Sequence, residues 1–172
     1  MSFLAFLNLI KIGVIMSIVY MIGFDKKLTK SQFLYKDILK SKKTVFSEND
    51  GITFTLQLLP QEDDIAKKLF QGRVVYSIRA TVPLDCNLQD KENIGKEYYL
   101  CEKEQLEWFI GFLKKNISSD EDCLFIQIAL GAPINYQKIL SKCLDLNQIK
   151  ISDDFSFCPG LVYQFTNNYK LS

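Results

Sequence analysis

The sequence predicts an α+β protein: a membrane-directed N-terminal helix followed by one small mixed-sheet domain with about five strands and three helices. Three observations carry this. The chain opens on an apolar run, its apolar period then switches to strict alternation, and helical stripes separate the alternating segments.

Residues 1–24 read as a membrane anchor or an uncleaved signal segment. Between Ser2 and Phe24 only Asn8 and Lys11 are clearly polar. A helix of that length spans roughly 33 Å, close to the hydrocarbon thickness of a bilayer. From Ile12 the stretch also has the length of a signal h-region with Lys11 ahead of it, yet no small-residue cleavage site precedes Asp25. Residues 3–24 are therefore expected to contact the membrane. Residues 25–48 follow as a lysine-rich juxtamembrane helix or linker, with Leu28, Phe33, Leu34, Ile38 and Leu39 at near-helical spacing. Orientation is contested. Lys26, Lys27, Lys30, Lys36, Lys40, Lys42 and Lys43 argue for a domain on the cytoplasmic side, whereas an export-like N-terminus places it on the extracytoplasmic (periplasmic) side, the side favoured here.

The domain proper is placed at 49–172, after the break at Asn49-Asp50-Gly51. In ITFTLQLL, Ile52, Phe54, Leu56 and Leu58 alternate with Thr53, Thr55 and Gln57, the pattern of a half-buried strand. Pro60 ends it. QEDDIAKKLF then reads as a short helix with acids first and lysines last, as the helix dipole favours. RVVYSIRATV alternates again, and a loop is expected from Pro83 to about Tyr98. EKEQLEWFIGFLKK is the strongest helix, with Leu106, Phe109, Ile110 and Leu113 forming its apolar stripe. CLFIQIALGAP is apolar enough for a central strand, and NYQKILSKCLDL has the spacing of a last helix. DFSFCPGLVYQF closes the chain as two short strands around Pro159-Gly160.

Composition limits the chemistry. There is no histidine, which removes the commonest general base and zinc ligand, and a net charge of +1 gives no field for nucleic acid. The five cysteines include no C-x-x-C. Cys86 with Cys101, and Cys143 with Cys158, are the expected disulfides, leaving Cys123 single. The acidic clusters Glu62-Asp63-Asp64, Asp120-Glu121-Asp122 and Asp153-Asp154 lack calcium-loop spacing and read as helix starts and turns. Gly131-Ala132-Pro133 has no phosphate-binding glycine pattern around it, and Ser118, Ser119 and Ser141 have no base nearby in sequence. No catalytic residue, cofactor site or metal site is expected.

What is left is recognition. Trp108 lies beside the apolar stripe of its helix and Tyr98-Tyr99 stand just before it, a placement typical of interface anchors. The expected function is a non-catalytic membrane-anchored domain that binds another protein, a plan compatible with a toxin-neutralising (immunity) protein or an envelope-complex subunit. The alternative is a small-ligand or lipid-binding module at the membrane surface.

Overall fold

The computed structural model describes residues 18–28, 54–60, 63–80, 84–86, 88–129, 139–153 and 155–168. Its strands are β1 (Ile18–Phe24), β2 (Phe54–Leu58), β3 (Val74–Ala80), β4 (Asp122–Ala129), β5 (Ser141–Asp145) and β6 (Val162–Thr166). The helices are α1 (Asp64–Leu69), α2 (Leu88–Asn93) and α3 (Lys96–Asn116). All six strands form one mixed sheet in the order β2-β3-β1-β4-β6-β5, antiparallel throughout except for the parallel pair β5 and β6. The α+β class stands.

Side chains alternate across a strand, so each strand supplies both faces of the sheet. Tyr20, Ile22 and Phe24 of β1, Tyr76 and Ile78 of β3, and Cys123 and Phe125 of β4 point to one side, where Leu106, Phe109, Ile110 and Leu113 of α3 cover them. The centre of this layer is aromatic: Phe125 lies 5.3 Å from Phe109 and 4.8 Å from Phe157, ring centre to ring centre. Such tilted pairs add to the stabilisation from burial alone. Met21, Val75, Ile126, Ile128 and Val162 point to the other side, against Ala66 and Phe70 around α1. Asp63 caps α1, its carboxylate accepting the Ala66 N–H at 2.8 Å. Gly23 is required here. A Cβ at that position would stand 2.6 Å from Cδ1 of Phe70, which packs over β1.

Five expectations are corrected. The second half of the supposed membrane helix, Ile18–Phe24, is β1, and it sits between β3 and β4 near the middle of the sheet. A strand buried on both faces loses its polar alternation, so its sequence reads like a membrane run. No helix among the described residues is long and apolar enough to cross a membrane. Residues 1–17 and most of the lysine-rich segment lie outside the described residues. The last helix is also corrected: its portion Ser141–Asp145 is the strand β5, paired with β6, and its first three side chains are exposed. Its expected helical face is split: Ile139 and Leu144 pack against opposite faces of the sheet, while Leu140 and Cys143 are exposed.

The loop expected over 83–98 instead holds α2 and the start of α3. At the end of the chain, a single strand, β6, follows Pro159-Gly160. The disulfides are corrected as well, since all five cysteines are free. Cys86, Cys101 and Cys123 are buried as small apolar side chains, while Cys143 and Cys158 are exposed. Equal spacing in sequence carries no information about Cβ separation, which decides whether a bridge can close.

Candidate functional site

The expected interface residues all belong to α3, which sequence periodicity located well. Tyr98, Cys101, Gln105, Trp108 and Phe112 fall along one flank of that helix, beside the stripe that faces the sheet. Trp108 is half-buried, and its ring stacks on Phe112 with centres 5.4 Å apart and planes 27° from parallel. It packs against the main core with one edge and keeps the other outside.

Tyr99 is placed differently from Tyr98. It is buried, its hydroxyl donates to the Asp153 carbonyl at 3.1 Å, and Lys91 Nζ sits 5.5 Å from its ring centre. The Lys103 ammonium donates to Asp153 at 2.8 Å; each holds the other's charge, so the carboxyl lies below and the ammonium above its ordinary range. Tyr99 is thus a clamp between α3 and the loop before β6. Tyr98 remains half-exposed.

Two large apolar side chains are exposed around α2. Leu88 opens α2 with 42% of its surface exposed, and Ile94 follows α2 with 50% exposed. Gly95 then turns the chain into α3 with φ +133°, a conformation that side chains other than glycine rarely adopt. Lys91, Glu92, Lys96 and Glu97 ring this corner with both signs of charge. The sequence read this stretch as a polar loop, because Leu88 and Ile94 stand singly among charged residues.

A buried polar layer under β1 was also missed. Glu102 and Gln105 are fully buried on α3. The Tyr20 hydroxyl accepts the Leu84 N–H at 3.1 Å, and the Cys86 N–H donates to the Phe155 carbonyl at 2.6 Å. Burial, reinforced by the carboxylates of Glu102 and Asp85, pushes the Cys86 thiol up to about 12. It therefore stays protonated at neutral pH, the form in which a thiol is a weak nucleophile. Burial likewise raises the Tyr20 phenol. One signal was available: Glu102 extends the stripe of Leu106, Phe109 and Leu113 back by one turn.

The acidic turn ahead of β4 is occupied by ion pairs. Arg73 bridges Asp25 at 3.0 Å and Asp122, whose other oxygen accepts from Gln164, and Lys26 meets Glu121 at 2.6 Å. These carboxylates tie the ends of β1, β3, β4 and β6 together. Gly131-Ala132-Pro133 lies outside the described residues.

Against family models, curated proteins and solved structures the chain has no match. Its function has to be argued from its own surface.

Proposed function

We propose that this chain is a non-catalytic domain that binds another protein through the α2–α3 corner. The observation that carries the reading is the pair Leu88 and Ile94, both exposed, at the two ends of one six-residue helix. Exposed leucines that stand alone are ordinary. Two large apolar side chains around one short helix, rimmed by lysines and glutamates, have the layout of an interface with an apolar centre and a polar edge. The corner is also held firmly, by the Tyr99–Asp153 and Lys103–Asp153 contacts beneath it. Rigid presentation lowers the entropy lost on binding. Trp108, further along the same flank, extends the contact surface. The absence of histidine and the protonated state of Cys86 favour binding over covalent catalysis. A toxin-neutralising protein or a subunit of a larger complex fits this plan by analogy.

The test uses the full-length chain in its own cells, with a photo-crosslinking residue at position 88 or 94 and a control at Lys142 on β5. A discrete crosslinked protein from the corner, absent from the control, is expected. It should disappear when Ile94→Asp is added to the position-88 probe while the urea midpoint is unchanged. Equal crosslinking from Lys142, or indifference to Ile94→Asp, would refute the reading.

A further inference from the structure

A second site lies at the other end of the molecule. Where β2 runs out, Leu58, Leu59 and Pro60 border, together with α1 and the first residues of β3, a cleft of about 480 Å³, open to solvent. That volume falls within the range of small-ligand sites, roughly 300–1,000 Å³. Its apolar lining comes from Leu58, Leu59, Phe70, Val74 and Val75. Leu58 at the mouth is 43% exposed.

The polar lining has one sign. Lys27 arrives from the end of β1, Lys67 from α1 and Arg73 from the turn before β3, and among the described residues no carboxylate lines the cleft. Arg73 is already engaged by Asp25 and Asp122 on its far side, which fixes its position and leaves Lys27 and Lys67 to meet a ligand. At Gly72 the wall is low: nothing lies within 4 Å of where its Cβ would be, and its φ of +76° keeps a larger side chain out.

We propose that this cleft binds a single-chain amphiphile with an anionic head, such as a fatty acid. The head pairs with Lys27 and Lys67, and the first part of the chain lies along Leu58, Leu59 and Pro60. Charge and apolar surface together select this class. A small inorganic anion would leave the leucines wet, and an uncharged hydrocarbon would leave the two ammonium groups without a counter-charge.

The test is calorimetric titration of the full-length chain with monomeric dodecanoate, alongside acetate, dodecanol and phosphatidylglycerol vesicles. Dodecanoate is expected to bind one to one in the micromolar range, with acetate undetectable and dodecanol at least about tenfold weaker, as loss of one charge pair implies. Lys67→Glu and Leu58→Gln, both at solvent-facing positions, should each weaken dodecanoate at least about tenfold with circular dichroism and urea midpoint unchanged. Dodecanol binding as tightly as dodecanoate would overturn the assignment, as would indifference to both substitutions. Sedimentation with vesicles without dodecanoate binding would assign the lysines to a membrane surface and overturn it too.

Discussion

Replacing Ile22 by alanine separates the two ways of reading the N-terminal apolar run. In the sheet, Ile22 is fully buried, standing opposite Tyr76 on β3 and Phe125 on β4, both fully buried themselves. Truncating a large aliphatic side chain in such a place removes its transfer free energy and leaves a cavity, a loss of about 2–5 kcal/mol. Two large rings in adjacent strands cannot easily close over the gap, so a value of about 3–4 kcal/mol is expected. Small domains are stable by only about 5–15 kcal/mol, so this is a large share of the total. With a urea slope of about 2 kcal/mol per molar, the midpoint should fall by close to 2 M. The lone Trp108, half-buried against Phe112, provides the fluorescence signal. In a membrane helix separate from the domain, the same change would exchange one apolar side chain for another in lipid and leave the domain's unfolding untouched. A midpoint shift below about 0.3 M in full-length protein would therefore refute the placement of β1 at the centre of the sheet.

Further outcomes follow from other sites. Gly23→Val should cost about 1–3 kcal/mol by forcing Phe70 off β1, measured by the same urea titration; a neutral result would show that Phe70 does not lie there. Denatured, unreduced protein should take up an alkylating reagent at all five cysteines, and native protein should label first at Cys143 and Cys158. A bridged peptide in the mass spectrum would contradict both statements. Cys86 and Tyr163 are each pushed up to about 12 by burial, above their ordinary values of 9.0 and 10.0, and Tyr20 is raised as well. Groups whose folded values are raised stabilise the fold fully below their unfolded values, so stability should begin to fall near pH 9 and continue falling as pH rises. Tyrosine absorbance should then ionise fully only on unfolding, and a flat stability profile between pH 8 and 10.5 would count against these burials. Removing the corner's apolar centre with Ile94→Asp should abolish partner crosslinking with a urea midpoint within about 0.5 kcal/mol of the parent.

Much of the fold was legible because periodicity survives wherever an element buries one face. Phe54–Leu58 and Val74–Ala80 alternate, and α3 carries its stripe through Leu106, Phe109, Ile110 and Leu113. Reading failed where burial was two-sided or absent. β1 is enclosed on both faces, so its sequence lost the alternation that marks a strand. β5 leaves Ser141, Lys142 and Cys143 in solvent, and only its pairing with β6 decides its conformation. Pairing is a tertiary property that local spacing does not encode. Of the proposed interface, Trp108 was visible as a lone large ring beside a stripe. Leu88 and Ile94 were not, because exposure depends on where α2 lies. Tyr99 could not be told from Tyr98 by adjacency, since neighbours on a helix point about 100° apart.

The position of β1 also sets an order of events during synthesis. Tyr20 has to find Ile78 on one side and Gln127 on the other, so β1, made before either partner, is among the last strands to be completed. At ordinary translation rates the wait is on the order of ten seconds. Until β3 is made the nascent chain carries IVYMIGF, seven residues without a charge, with neither edge paired, and until β4 is made one edge stays open. Such a segment is a template for pairing with other chains. Long-range closure also makes folding slow, since the loops must be closed before their contacts form. Solubility during production should therefore depend on shielding these seven residues, by slower synthesis or by a chaperone, more than on the stability finally reached.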